Sequence, residues 1–308
     1  GPALADSHTI NGNLTWNLGR DGNFRGSFLC VSIGAGYFSS LSNTLTINGN
    51  FNINNNSWVH IAHNGDEGGN IYSALNISKD LNISSDSELS LISNGGSGND
   101  PTIHASLNVG GTVYNSGRLV SYGGPQAGRT YGSFSINNLV NTGTFIFDSP
   151  NALNGTFNNV TQAGGYFQQG GTNDFHINGT LTVSGGTLGN NDTIVVGADS
   201  GKFSVGQSLN LAGGSVGNLS VLTHVGGSVL VSAGSYGIGT LNKSNGSLTN
   251  KGALTVTNFN QSNGSSTNSG NLTIGNANLY GSLNNTGTLT MTGKLTSRGN
   301  LSSSGTLN

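Results

Sequence analysis

Short alternations of apolar and polar residues follow Gly- and Asn-rich turns along the whole chain, and near the C-terminus they become a repeat. The phrase NKGALTV at 250–256 returns as NSGNLTI at 268–274, as NTGTLTM at 285–291, and in part as SSGTL at 303–307. Successive phrases begin 18, 17 and 18 residues apart. In the three full copies, Asn-x-Gly tolerates the left-handed backbone of a turn, and the alternation after it predicts a short strand with one apolar face.

A fixed period of this length, with one turn and one strand in each copy, is typical of a solenoid. One short strand cannot bury its apolar face, whereas stacked copies share a continuous core and pair their backbones at about 4.8 Å per layer. The sequence therefore predicts an all-β fold, a right-handed parallel β-helix of about 15 coils of roughly 18–21 residues, with no long helices and with Asn ladders along the stack. Antiparallel hairpins in a long sandwich are the alternative, but hairpins would not require equal spacing.

The regularity of these phrases divides the chain into segments. Residues 1–7 are expected to be a protease scar or leader remnant, because Gly1-Pro2 resembles a cleavage scar. Residues 8–308 are expected to form one β-helical fragment that stops inside a repeat, before a C-terminal cap. Within this fragment the sequence pattern indicates three segments. Residues 8–47 are a possible N-terminal cap or insertion, and residues 48–247 are irregular coils with loops near 122–138 and 164–175. Residues 248–308 are regular repeats of 17–18 residues.

Charged residues are rare along the chain, which argues against partners that bind through a strongly charged surface. Charged residues make up 7% of the sequence and the net charge is −2, so no basic surface for nucleic acid is expected. Recurrent Val, Ile, Leu and Phe at strand positions argue against disorder. The single cysteine, Cys30, cannot form an internal disulfide. No stretch reaches the roughly 18 apolar residues of a transmembrane helix.

Two stretches contain residue types that bind metals. GGSGND at 95–100 matches the opening of the calcium-binding nonapeptide of β-rolls, with Asp100 as the ligand, but one copy cannot supply the roughly six to eight oxygen atoms that calcium needs. His60 and His63 lie three residues apart in a segment that predicts a strand, so they would point to opposite sides and would not share a zinc ion. We therefore predict no metal and no cofactor.

Catalytic residues form no recognisable constellation in the sequence. Nucleophilic catalysis needs a base and an orienting acid close to a Ser or Cys, and six His and twelve acidic residues are scattered along the chain. β-Helical polysaccharide-cleaving enzymes need clustered carboxylates on one face. Asp80, Asp86 and Asp100 are the candidates for such a cluster, and only their proximity in sequence joins them.

The Asn-x-Gly-x-Leu-Thr-Val/Ile phrases, the NGNL and NGNF starts at 11–14 and 48–51, and the body rich in Gly, Asn, Ser and Thr resemble the passenger domains of type V secretion. These are the autotransporters and filamentous-haemagglutinin-like exoproteins of Gram-negative bacteria, and the texture is most similar to vacuolating-cytotoxin-like and adhesin-like passengers. Asn-Pro motifs near the start of the haemagglutinin-like secretion domain are absent, which favours a classical autotransporter or an internal segment.

This resemblance implies a non-catalytic adhesin, secreted or displayed on the bacterial cell surface, that binds glycans or proteins of host or bacterial surfaces. Self-association is a further possibility, and contact with a membrane would come only through a separate translocator domain. A cytotoxin passenger that binds a receptor or oligomerises is the second hypothesis, and a carbohydrate-active enzyme the third. Because loops of a solenoid commonly carry its function, binding residues are expected where the period breaks. The candidates are Tyr122, Arg129, Tyr131, Tyr166 and Phe167, whereas 248–308 is expected to be a spacer.

Overall fold

The fold is built from β-strands and turns. The computed structural model describes residues 4–17, 28–34, 40–64, 70–94, 102–122, 130–148, 153–169, 174–189, 193–198, 203–217 and 219–308. The strands in chain order are β1 (Leu4–Ile10), β2 (Leu14–Trp16), β3 (Phe28–Gly34), β4 (Ser40–Ile47), β5 (Phe51–Ile53), β6 (Trp58–Asn64), β7 (Asn70–Ile77), β8 (Leu81–Ile83), β9 (Glu88–Asn94), β10 (Ile103–Asn115), β11 (Arg118–Tyr122), β12 (Thr130–Asn141), β13 (Thr144–Asp148), β14 (Leu153–Gln169), β15 (Asp174–Ile177), β16 (Thr180–Leu188), β17 (Thr193–Val196), β18 (Phe203–Val205), β19 (Ser208–Leu211), β20 (Ser215–Val216), β21 (Leu219–His224), β22 (Ser228–Val231), β23 (Ser235–Lys243), β24 (Ser247–Asn250), β25 (Ala253–Gln261), β26 (Ser265–Asn268), β27 (Asn271–Leu279), β28 (Ser282–Asn285), β29 (Thr288–Met291), β30 (Leu295–Ser297), β31 (Asn300–Ser303) and β32 (Thr306–Leu307).

Strands pair in parallel with the corresponding strands of neighbouring coils, as β4 does with β1 and with β7. In the C-terminal repeats Leu254, Leu272 and Leu289 stand directly in register, and each is nearly or completely buried. The polar residues between the buried ones, such as Thr255 and Thr273, face outward. The predicted all-β parallel β-helix is confirmed, and the described residues contain no helix, so none that is long and apolar enough to cross a membrane.

The length of a coil changes along the chain while the strands of successive coils stay paired. Asn13 and Asn50, which meet on successive coils, lie 37 residues apart, and Asn50 and Asp80 lie 30 apart. Near the C-terminus the separation falls to 18 between Asn250 and Asn268. The expected 18–21 residues therefore fit the C-terminal coils, whereas the N-terminal coils are longer and the chain makes fewer turns than a uniform period would give.

The N-terminal residues belong to the same stack. Strand β1 pairs with β4 from Leu4 opposite Leu41 to Ile10 opposite Ile47. Residues 4–7, expected to be a remnant, are therefore part of a coil; the preceding three residues lie outside the described part of the chain. Within 8–47, strands β2 and β4 also stack on the next coil, so these strands belong to the solenoid.

The chain divides into two compact units, residues 1–157 with 166–175, and residues 158–165 with 176–308. The first unit contains a cluster of buried phenylalanine rings, formed by Phe134, Phe145, Phe157, Phe167 and Phe175. The core of the second unit is mostly aliphatic, with Leu, Val and Ile from successive coils stacked on one another. The two units thus bury their apolar strand faces with different side-chain shapes.

Buried amides line one inner corner of the C-terminal coils. Asn250 Nδ2 donates to Asn268 Oδ1 at 2.8 Å, and Asn268 Nδ2 donates to Asn285 Oδ1 at 2.7 Å. Each amide also donates to a backbone carbonyl of the following coil, at Asn271 and Thr288 respectively. The Asn ladder predicted from the repeat is therefore present, and it satisfies carbonyl groups that the turns leave inside.

Candidate functional site

Three aromatic side chains form a ladder on the outer surface of the first unit. Tyr72 of β7, His104 of β10 and Tyr131 of β12 occupy the same position on successive coils. Tyr72 and His104 each lie between buried residues, Ile71 and Ser73 in the first case and Ile103 and Ala105 in the second, so the alternation of the strand turns these rings outward. We call Tyr72, His104 and Tyr131 the aromatic ladder.

The rings of the aromatic ladder are stacked face to face. The centroids of Tyr72 and His104 lie 4.8 Å apart with planes 6° from parallel, and those of His104 and Tyr131 lie 4.8 Å apart at 12°. The two tyrosines remain 41% and 42% exposed. Burial between them lowers the pKa of His104 below its usual value, so the imidazole is mainly neutral at neutral pH. The ladder is therefore an uncharged aromatic surface.

Small polar side chains adjoin both ends of the ladder. Ser42 stands in register with Tyr72 on the preceding coil, and Asn154 borders the same cavity as Tyr131. A serine does not cover the face of a tyrosine, so the outer face of Tyr72 opens into the cavity above Ser42. The stack thus ends in a ring face that a flat group could continue.

A cavity of about 400 Å³ runs beside the aromatic ladder. Its floor is the column two residues further along the same strands, which consists of Thr44, Ala74, Ser106 and Ser133. Among the described residues that line the cavity there is no Lys, Arg, Asp or Glu. This volume is in the range of small-molecule sites, and the small floor residues create the space.

Amide groups lie on the same face, two residues beyond the floor. Asn108 Nδ2 donates to Asn76 Oδ1 at 2.7 Å, and these side chains border a second depression of about 260 Å³. Thr46 and Ser135 continue this column on the coils before and after. Since residues advance about 3.3 Å each along a strand, the amides lie roughly 13 Å from the ladder. The face therefore combines ring surfaces with hydrogen-bonding groups.

Of the residues predicted to bind a ligand, the structure brings Tyr131 into this site and places Tyr166 and Phe167 outside it. Tyr166 lies in β14, paired with Thr144 of β13, and its hydroxyl donates to Gln168 Oε1 at 2.9 Å. Phe167 is wrong as a binding residue, because it is completely buried and stacks on Phe145 at 4.5 Å. Arg129 and the side chain of Tyr122 lie outside the described part of the structure.

Parts of the two predicted loops are strands in the structure. Strand β12 begins at Thr130 and includes most of the expected loop at 122–138, and strand β14 continues to Gln169 through the first half of 164–175. Continuous strands here bring the aromatic residues into register, so Tyr131 is held on a strand.

Among the metal candidates, only His60 has a described side chain. It is 8% exposed and lies edge-on to Trp58, with ring centroids 6.2 Å apart. Asp100 and the side chain of His63 lie outside the described residues. Within the described residues no group of three or more His, Cys, Asp and Glu is close enough to hold a metal ion.

The acidic side chains near 80–88 take part in turn and coil contacts. Asp80 Oδ1 accepts a hydrogen bond from the backbone N–H of Thr112 on the next coil at 2.8 Å. Asp86 accepts from the hydroxyl of Ser84, which is the main reason that its pKa is lowered. Glu88 forms an ion pair with Arg118 at 3.2 Å. Their hydrogen bonds and ion pair are those of structural corner residues.

Sequence reasoning missed Tyr72 and His104 because the coils they occupy have no common length. A signal was present: the phrases Leu75-Asn-Ile77 and Leu107-Asn-Val109 align with one another, and their alignment places Tyr72 opposite His104. Comparison of the chain with protein-family models, curated proteins and solved structures finds no match. The candidate site therefore rests on its own geometry.

Proposed function

We propose that this chain is a non-catalytic, surface-displayed β-helical adhesin that binds glycans, and that the aromatic ladder is its binding surface. The observation that carries the proposal is the stack of Tyr72, His104 and Tyr131 beside a cavity whose described lining residues are all uncharged. Monomeric proteins seldom expose stacked aromatic rings without a use for them, and these three are held in place by strand register.

The open face of Tyr72 supports a sugar as the ligand. A pyranose ring has a face of C–H groups, which an aromatic ring face attracts, and a rim of hydroxyl groups. A sugar placed above Ser42 would continue the stack at the spacing of one coil. Its hydroxyl groups would then face the serine and threonine hydroxyls of the floor, Thr44, Ser106 and Ser133.

The charge of the site supports a neutral ligand. The described residues that line the cavity include no Lys, Arg, Asp or Glu, and His104 is mainly neutral at neutral pH. The hydrogen-bonded state of Asp80 and Asp86 and the Glu88–Arg118 ion pair support binding over catalysis as the role of the described acidic residues. A surface location and a bacterial or host-cell glycan as partner are parts of the same proposal.

The test is glycan-array and cell-binding measurement of the wild-type chain and of the double variant Tyr72→Ala/Tyr131→Ala. Binding should fall by at least about tenfold in the variant, because both outer rings of the stack are lost. Tyr114→Ala is the matched control, since Tyr114 is 46% exposed on β10 but lies outside the cavity. Equal binding by the double variant, or release of new reducing ends from a bound glycan, would contradict the proposal.

A further inference from the structure

A groove of about 530 Å³ runs along the outer surface of the second unit, across four successive coils. Its floor is a column of outward-facing residues, Thr223, Asn242, Asn260 and Asn278, which stand in register on β21, β23, β25 and β27. Its wall is the next outward position of the same coils, formed by Ser244, Ser262 and Tyr280. The groove therefore follows the direction in which the coils stack.

The amides of the floor are connected head to tail. Asn260 Nδ2 donates to Asn242 Oδ1 at 3.0 Å, and Asn278 Nδ2 donates to Asn260 Oδ1 at 3.0 Å. An amide has two N–H donors and two acceptor lone pairs, so Asn260, at the centre, keeps one donor and one acceptor for the solvent side. The floor thus repeats hydrogen-bonding groups at about 4.8 Å, the distance between coils.

Tyr280 closes one end of the wall with a partly covered ring. It is 52% exposed, and the guanidinium carbon of Arg298 lies 5.8 Å from its ring centroid. On the preceding coil the equivalent residue is Ser262, one position beyond the paired Gln261 and Leu279. The small serine leaves the other face of the tyrosine ring open to the groove, as Ser42 does for Tyr72.

The positive charge behind the floor is directed into the protein. Lys243 is 1% exposed, and its Nζ donates to the backbone carbonyls of Asn245, Gly246 and Asn263 at 3.0, 2.7 and 3.3 Å. Gln261, on the next coil, likewise donates to the carbonyls of Gly264 and Ser282. Lys243 and Gln261 border the groove but are each only 1% exposed, so its exposed surface is formed by neutral amides, hydroxyls and one aromatic ring.

From these features we infer that the groove is a second binding site, separate from the aromatic ladder, for a linear neutral glycan that lies along the coils. One sugar ring stacks on the open face of Tyr280 above Ser262. The following sugars place their hydroxyl groups over the free donors and acceptors of Asn260 and Asn242. An extended chain suits a floor whose groups repeat with every coil, whereas a compact ligand would use only one rung.

The experiment measures binding of the full chain to a panel of linear gluco-, manno-, galacto- and N-acetylglucosamine oligosaccharides, by array and then by calorimetry. For the oligosaccharide that binds, Tyr280→Ala and Asn260→Ala should each weaken affinity by at least about tenfold. Ser262→Trp should have the same effect while keeping every amide, because the indole fills the space beside Tyr280. The spectrum of amide hydrogen exchange reports whether each variant keeps its coils.

Two controls separate this site from the first one. Asn276→Ala removes another exposed amide of β27 that lies outside the groove, and it should leave binding unchanged. Tyr72→Ala/Tyr131→Ala should also leave this binding unchanged, so failure of the first site does not decide the second. Wild-type affinity in Tyr280→Ala, Asn260→Ala and Ser262→Trp would overturn the inference. So would the absence of binding to every oligosaccharide of the panel, or preference for an extended peptide.

Discussion

Asn268 Nδ2 donates a hydrogen bond of 2.7 Å to Asn285 Oδ1 on the following coil, and both side chains are completely buried. The same Nδ2 also donates to the backbone carbonyl of Thr288. Asn268 Oδ1 in turn accepts from Asn250 of the preceding coil. One amide therefore joins three coils, and its loss leaves polar groups on both sides without a partner in an apolar interior.

Replacing Asn268 with Ala should destabilise these coils by about 3 kcal/mol, because a buried donor or acceptor left without its partner costs roughly 1–3 kcal/mol. Asn278→Ala is the matched control. It cuts an amide ladder of similar geometry that lies on the surface, where water replaces the lost hydrogen bonds, and it should cost less than about 1 kcal/mol. Local hydrogen exchange at 250–290 measures both. Equal losses would show that burial of the ladder is unimportant.

Glycines of successive C-terminal coils approach each other closely. A Cβ built on Gly270 would overlap the carbonyl oxygen of Gly252, a backbone atom that cannot move without disturbing its coil. Gly270→Ala should therefore cost about 3 kcal/mol, as overpacking does elsewhere. A Cβ on Gly237, within β23, meets nothing within 4 Å. Gly237→Ala should be neutral or slightly stabilising. Denaturant titration of both variants measures the difference, and a loss of stability at Gly237 comparable to that at Gly270 would refute the steric argument.

His224 makes the second unit sensitive to acid. Burial, and secondarily the charge of Lys243 on the next coil, lower the pKa of His224 to about 4, while Val196 faces it from the other side. An unfolded histidine titrates near pH 6.5, so between about pH 6.5 and pH 4 the unfolded state holds more protons than the folded one. The free energy of unfolding should therefore fall as the pH is lowered through this window, by about 3 kcal/mol in total.

The variant His224→Leu isolates the contribution of His224 to the pH dependence of unfolding, because it replaces the imidazole with an apolar side chain of similar volume that does not titrate. Its unfolding free energy should lack the His224 part of the loss between pH 6.5 and pH 4. Burial lowers the pKa of Lys243 to about 8, so the titration of this group falls at higher pH and does not overlap. Denaturant titrations at intervals of pH measure the difference. Parallel pH profiles of variant and wild type would count against a neutral, buried His224.

Phe167 stabilises the core of the first unit. Its ring stacks on Phe145 at 4.5 Å and meets Phe175 edge-on at 6.3 Å. Phe167→Ala should destabilise this unit by about 3–5 kcal/mol, because it removes a buried aromatic ring and leaves a cavity. Its neighbour Tyr166 is only partly buried, so Tyr166→Ala should lower the free energy of unfolding clearly less. Thermal unfolding of both variants measures the difference. A smaller loss at Phe167 than at Tyr166 would contradict the packing.

The strand register of the C-terminal coils could be predicted because their sequence repeats. Aligning the phrases at 250–256, 268–274 and 285–291 gives the strand register directly, and it places Asn250 and Asn268 in one ladder. Equal spacing turns a local pattern into a three-dimensional one, since each copy must take the same position on its coil. The fold class and the Asn ladder therefore followed from sequence alone, whereas the burial of the amides did not.

The aromatic ladder could not be predicted in the same way. Tyr72 and His104 are 32 residues apart and His104 and Tyr131 are 27 apart, so no single period joins them. Their meeting depends on strand pairing between coils of unequal length, which is a property of the folded chain. The expectation that 248–308 is a spacer remains a prediction, and the groove proposed at Asn260 and Tyr280 provides a direct test of it.

Unequal coil length with constant register has a consequence for how such a chain can change. The interval between stacked positions falls from 37 residues at Asn13 and Asn50 to 17 at Asn268 and Asn285, yet the strands on either side stay paired. Residues can therefore be gained or lost between two paired strands without changing which residues of those strands meet on successive coils. Insertion and deletion thus become a source of surface diversity decoupled from core stability, and the same intervals are natural positions for grafting foreign segments.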